Sequence, residues 1–231
     1  MDRPRGTLAL VGGGEWTQQC RSFDEDLLSA SGGNEVLVLP TAAAYEHPDL
    51  AVERAAEWFA RMGARVCGLR VLNRRDAESD RNLSAARDSR FIYLCDGSPL
   101  HLRSVLKGSA LWDAILAAYR DGAVLAASGA GATVVCDPMV DPRGGAYTVG
   151  LGVVKNLAVF PYHGTAADHL RERSIELLPR GAVLAGLDEA TALVRSPGGD
   201  WRAAGPGGVT LYRHGAQPAT YCDELIARPL G

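Results

Sequence analysis

Ser128, Gly129, Cys95 and His163 are the residues of this chain whose types and surroundings could do chemistry, and that chemistry would be nucleophilic attack on a carbonyl. Ser128 and Gly129 lie in Ala126-Ala127-Ser128-Gly129-Ala130-Gly131-Ala132, where the apolar run 123–127 gives way to an unbroken series of small residues. A continuous apolar run reads as a strand buried on both faces of a parallel sheet. When such a strand reverses sharply into a helix, backbone presses on backbone and only Gly, Ala and Ser fit, which is the steric basis of the G-x-S-x-G elbow. The apex, where that motif carries its nucleophile, is Gly129. Covalent attack needs an oxygen or sulfur within about 3 Å of a base, and glycine has no side chain. Ser128 is the nearest substitute, yet consecutive side chains diverge in a sharp turn, so its hydroxyl need not face a base. Cys95 ends the apolar run 91–95, at the carboxyl edge where α/β sites lie; the alternative is a small buried hydrophobe. His163, taken by itself, reads as a structural or surface histidine more readily than as a base.

These residues need a scaffold, and the rest of the chain supplies a pattern for one. Short apolar runs at 8–11, 35–39, 65–72, 91–95 and 123–127 alternate with helical periodicity at 23–29, 48–62 and 111–119, as βαβ units do. Pro48 stands in the first turn of its helix, and Met62-Gly63 ends it. After the bend, 147–151 and 158–162 read as strands and 168–178 as a helix with Leu170, Ser174, Leu177 and Leu178 inward. The last third turns to β at 182–184, 191–195, 201–203 and 209–212, separated by clusters such as Ser196-Pro197-Gly198-Gly199-Asp200. The tail from His214 is punctuated by Pro and Gly and would wrap the domain or fray. Gly12-Gly13-Gly14 follows the first strand but lacks the G-x-G-x-x-G spacing of a dinucleotide loop, so a tight turn explains it. Asp188 and Glu189 could form an acid–base pair, but adjacent strand residues face opposite sides, so at most one enters a site.

Composition bounds the functions. At 231 residues, 47% apolar and 22% charged, the chain suits one domain over 1–231. A net charge of −3 gives no basic surplus for nucleic acid. Met1-Asp2-Arg3-Pro4-Arg5-Gly6 is basic, but the apolar run after it is too short for a signal sequence, and no stretch reaches the length of a membrane span. Five scattered cysteines without C-x-x-C or Cys/His pairing suit reduced thiols, hence a cytoplasmic protein with no structural metal.

Several segments together resemble the serine peptidases that include cyanophycinase and dipeptidase E. They are Val11-Gly12-Gly13-Gly14, 93–100, the bend through Cys136-Asp137, Gly150-Leu151-Gly152, Pro161-Tyr162-His163, the helix with Arg171 and Arg173, and 186–193. The resemblance covers nearly the whole chain. It implies a class I glutamine amidotransferase-like fold, a three-layer α/β/α domain on a mostly parallel sheet with a nucleophile elbow, and extra strands in the C-terminal third. It also implies no cofactor. The family's Ser-Ala-Gly-Ala falls on Gly129-Ala130-Gly131-Ala132, and its histidine on His163. Its strand-end motif, Gly-Gly then Asn or Asp then Gln or Thr, becomes Asp96-Gly97-Ser98-Pro99. Gly97 and Ala130 would offer backbone N–H groups to an oxyanion, while Pro99 offers none. Gly13, Arg171 and Glu189 would line the substrate cleft, Arg171 and Arg173 holding a carboxylate. Asp141 and Glu189 are positional candidates for the third triad member. The expectation is a non-catalytic relative binding a small peptide-like or anionic ligand, the bend's helix offering free N–H groups. The alternative is an amide hydrolase using Ser128 or Cys95 with His163. On this reading Gly129→Ser should restore measurable fluorophosphonate labelling if the remaining donors and His163 are in place. Relatives occur in different assemblies, so the resemblance leaves a homodimer open without requiring it.

Overall fold

Five of the apolar runs become parallel strands: β1 (Leu8–Val11), β2 (Glu35–Leu39), β3 (Arg65–Gly68), β4 (Phe91–Leu94) and β5 (Val124–Ser128). Their spatial order is β1-β5-β4-β2-β3, in registers that pair Val11 with Ser128 and Leu94 with Ala127. The computed structural model describes residues 6–226. The basic start at 1–5 and the last five residues of the tail lie outside them.

The connecting helices are α1 (Arg21–Ser31), α2 (Pro48–Ala60), α3 (Asp80–Asp88), α4 (Pro99–Leu106), α5 (Ala110–Arg120) and α6 (Ala130–Val135). Strand side chains alternate in direction, and the core divides accordingly. Leu10, Leu39, Ile92 and Leu94 join Leu83, Leu102, Leu111 and Ile115 of α3, α4 and α5. Val11, Val38, Phe91 and Tyr93 face the other way, onto Phe23 and Leu27 of α1 and Trp58 and Phe59 of α2. Three layers result. Helices α3 and α4 were not anticipated: α3 carries few apolar residues, while α4 starts from a local signal, Ser98 Oγ accepting the His101 N–H ahead of Pro99.

Beyond α6 come β6 (Cys136–Asp137), β7 (Met139–Val140), β8 (Tyr147–Thr148), β9 (Val154–Lys155), β10 (Leu157–Phe160), α7 (Asp168–Glu176) and β11 (Val183–Leu187). These are followed by β12 (Ala192–Arg195), β13 (Trp201–Ala204), β14 (Val209–Tyr212), β15 (Ala219–Tyr221) and β16 (Leu225–Ile226). The late strands separate into two roles. β12, β13 and β16 extend the main sheet antiparallel beyond β1, giving eight strands, and β15-β14-β11-β10-β6-β9 make a second sheet of six. The second sheet puts Leu157, Val159 and Ala185 against Val134 and Val135 of α6 in the larger core.

Several boundaries differ from expectation. The run 65–72 is a strand only to Gly68, after which Leu69 and Val71 are buried in a loop. Strand 147–151 shortens to Tyr147–Thr148. Helix α7 stops at Glu176, which leaves Leu177 40% exposed instead of inward. The tail from His214 adds β15 and β16 rather than fraying.

Candidate functional site

The bend after β5 has the torsions of a strained elbow: Gly129 sits at φ 49° and ψ −108°. Side chains at positive φ cost about 1–2 kcal/mol, which a catalytic serine would have to bear and glycine does not. The space in front of Gly129 is occupied. A Cβ built there would overlap the Asp96 carboxyl group.

Asp96 follows β4 by two residues, and its carboxylate is bound from three sides. Oδ1 accepts the N–H of Gly97 and the N–H of Ala130, each at 2.7 Å. Oδ2 accepts the hydroxyl of Tyr162. The two backbone donors are those expected to hold an oxyanion, so that expectation needs correcting: both are committed to a side chain of the same protein. Helix α6 is only six residues long, and its first N–H is one of these two. Gly97 is at φ 138° and lies against the Ala42 carbonyl, which is why this position tolerates no side chain.

A second carboxyl group backs the first. Glu15, in the loop after β1, accepts the Asp96 N–H at 3.2 Å through Oε1 and the Ser128 hydroxyl at 2.8 Å through Oε2. Burial raises the Glu15 pKa above its ordinary value, and the nearby Asp96 charge raises it further. Ser128 is fully buried. Its hydroxyl therefore has a carboxyl partner but no path to a substrate, and that partner is Glu15 rather than His163.

His163 faces elsewhere. Its Nε2 lies 2.7 Å from the Tyr212 hydroxyl and its Nδ1 3.4 Å from Asp188 Oδ1, while Asp188 Oδ2 accepts the Gly208 N–H. The ring packs on Gly186. Burial lowers its pKa, partly opposed by the Asp188 carboxylate. The carboxylate beside the histidine is thus Asp188. Asp141 instead pairs with Arg143, and Glu189 is exposed, its side chain beside Gly14 and its carbonyl taken by the Thr191 hydroxyl. Arg171 is bound to Asp168 and to the His163 carbonyl, not free in a cleft. Arg173 is exposed. Cys95 is buried, and burial pushes its thiol well above the ordinary range, the opposite of an activated nucleophile.

Gly13 has a spacing role. A Cβ there would overlap the Tyr162 ring, and it is this ring that reaches Asp96. Tyr162 itself holds φ 54°, unusual for a bulky residue, with its N–H on the Gly12 carbonyl at 2.8 Å. Two clefts meet at Asp96, Gly97 and Tyr162. One, about 260 Å³, is walled by Pro99, Val140, Phe160 and Leu170. The other, about 520 Å³, holds Glu15, Glu46, His47 and Arg54.

Sequence reasoning did not find Glu15, Tyr162 or Tyr212 as site residues, and it named Asp188 only as an acid–base partner of Glu189, not as the carboxylate beside His163. It noted the altered motif at Asp96 without its consequence. One signal was available: the resemblance puts glycine at the position of Asp96 and serine at the position of Gly129, so the two departures are complementary.

Among the described residues, no group of three or more His, Cys, Asp or Glu side chains is placed to hold a metal ion, and no helix is long and apolar enough to cross a membrane. No curated protein matches the chain. Among solved structures, it is similar to a peptidase from an acI-B1 Actinobacterium, at 27% identity and TM-score 0.88 over 99% of each chain. It shares its fold with a peptidase E candidate from Listeria monocytogenes EGD-e, at 16% identity and TM-score 0.63 over 95% of this chain and 100% of that one. The model of Peptidase family S51 matches residues 8–196. With that match spanning the parallel strands, the bend and the histidine-bearing strand end, the chain belongs to peptidase family S51.

Proposed function

We propose that this chain is a non-hydrolytic member of its family, a pseudoenzyme that binds a short peptide-like ligand without cleaving it. The observation that carries this reading is the Asp96 carboxylate, which stands in front of Gly129 and takes both N–H donors that a tetrahedral oxyanion would require. Loss of the nucleophile and occupation of the hole are one change seen from two sides. A hydroxyl at 129 and a carboxylate at 96 cannot share that space.

Binding survives this loss. The clefts on either side of the Asp96–Tyr162 contact differ in character. The smaller suits an apolar side chain between Phe160 and Leu170. The larger places Glu46 and Arg54 where an ammonium and a carboxylate of a short peptide could each find a counter-charge. With the hole filled, an anion does not bind at the bend itself, and a peptide-like ligand fits better than a simple anion.

Hydrolysis through Ser128 would need its hydroxyl to leave Glu15 and reach solvent, and hydrolysis through Cys95 would need a buried, unactivated thiol to ionise. The test is incubation of the wild-type chain with a fluorophosphonate probe and with a panel of short peptides. The expected result is no adduct by intact-mass spectrometry and no turnover, with peptide-dependent thermal stabilisation. An adduct on Ser128, or turnover abolished by Ser128→Ala, would overturn the reading.

A further inference from the structure

At the opposite edge of the main sheet lies a cavity of about 350 Å³ whose charged side chains are Arg120, Lys155 and Arg195. Its position is fixed by register. Arg195 pairs with Leu8 at the start of β1, whereas Ser128 and the bend pair with Val11 at its end. Arg120 closes α5 and Lys155 closes β9. Leu116 and Val153 form an apolar wall.

Arg195 is the informative residue. It is only 8% exposed, and its guanidinium is held in one orientation: Nη2 donates to the Tyr119 hydroxyl at 2.7 Å, and the group lies 5.3 Å from the Trp201 ring centre. Its Nε is buried with no hydrogen-bond partner among the described residues. Among the described residues, no carboxylate lies within 4.0 Å of Arg195, Arg120 or Lys155. A buried cation normally has a counter-charge, because desolvation without one is costly. Here the fold places two further cations beside it instead. Cation–π packing on Trp201 and Tyr119 keeps the charge in place but does not neutralise it.

We propose that this cavity binds a phosphate group, with Arg195 as the buried anchor and Arg120 and Lys155 closing over it from the rim. A dianion matches three cations better than a single carboxylate does, and the planar guanidinium suits bidentate contact with phosphate oxygens. The volume falls at the lower end of small-molecule sites, leaving room beyond the phosphate for a short apolar or hydroxylated arm against Leu116 and Val153. The site is separate from the cleft at Asp96, and its fate is independent of the function proposed above.

The experiment titrates inorganic phosphate and, separately, glycerol phosphate into the full chain in a phosphate-free buffer, read by phosphorus NMR line broadening and calorimetry. The rim substitutions Lys155→Glu and Arg120→Glu are made on exposed side chains, so they test the site without disturbing the core. Arg61→Glu, on an exposed residue just after α2, imposes the same charge change elsewhere. Saturable binding, weakened about tenfold or more by each rim variant and unchanged by Arg61→Glu, supports the site; that factor is what loss of one charged hydrogen bond produces. Tighter binding of glycerol phosphate assigns a phosphorylated small molecule, and equal or weaker binding assigns free phosphate. No saturable binding of either compound, or equal weakening by Arg61→Glu, overturns the proposal.

Discussion

A double-mutant cycle on Asp96 and Gly129 tests the central relation in this molecule. Gly129→Ser alone places a side chain at φ 49°, costing about 1–2 kcal/mol in backbone strain. It also expels the Asp96 carboxylate, since the new Cβ overlaps it. The carboxylate then gives up the Gly97 and Ala130 N–H groups, both now at 2.7 Å. Hydrogen bonds to charged groups contribute about 1.5–3 kcal/mol each. Because Asp96 borders two clefts and is partly solvated, the low end applies, so the single variant should lose about 4–5 kcal/mol. In an Asp96→Gly background the overlap is gone and the same substitution should cost only the strain. The expected coupling is therefore about 3 kcal/mol, the upper range for residues in contact. Urea unfolding of wild type, both single variants and the double variant, compared at equal m-value, measures it. Coupling below about 0.5 kcal/mol, the ordinary limit of additivity, would refute the argument that one group fills the other's place. Restored labelling by Gly129→Ser requires free backbone donors, and Asp96 holds both; fluorophosphonate labelling at position 129 is therefore expected only in the double variant.

Two further outcomes follow from buried groups. Asp24 is fully buried in α1, with Oδ2 accepting the Trp58 Nε1–H at 2.8 Å and Oδ1 without a partner among the described residues, and burial pushes its pKa from 3.8 up to about 7. The folded state thus holds a proton that the unfolded chain releases, so the associated stability is full below pH 3.8 and is lost as pH rises through about 7. Glu15, also raised, acts in the same direction. Asp24→Asn keeps the acceptor for Trp58 and should flatten this decline, by up to about 1.4 kcal/mol per pH unit; parallel urea-midpoint curves for the two proteins between pH 4 and pH 7 would count against it. Among the cysteines, Cys67 and Cys222 are exposed while Cys20, Cys95 and Cys136 are buried with raised thiol pKa values. A thiol reagent should react rapidly with the first two only in the native protein and with all five in denaturant; fast native reaction at Cys95 would reopen its candidacy as a nucleophile.

The parallel half of this fold was legible because each strand is a self-contained apolar run and each bend announces itself by small residues. Ala123 to Ala127 could scarcely be anything but a buried strand, and the small residues after it fix the turn. The second sheet was harder. β6 and β9 are two residues each, too short for any period, and exist because β10 and the main core give them partners. The site was legible only as positions. Ser128 meets Glu15 across 113 residues and Tyr162 meets Asp96 across 66, so their relation is set by strand order, which local pattern does not encode. The pairing of Asp188 with His163 was hidden for a similar reason: it joins the end of β11 to the segment after β10, a meeting set by strand order.

The Asp96 carboxylate differs from any dissolved anion in being tethered to the donors it occupies. A diffusing competitor must win against a group whose effective concentration is set by the chain itself. Boronic acids, aldehydes and other electrophilic inhibitors gain their grip on serine hydrolases by forming a tetrahedral oxyanion that settles into those same two amides. This protein carries its own permanent occupant there, and so should pass untouched through a mixture in which active relatives are silenced.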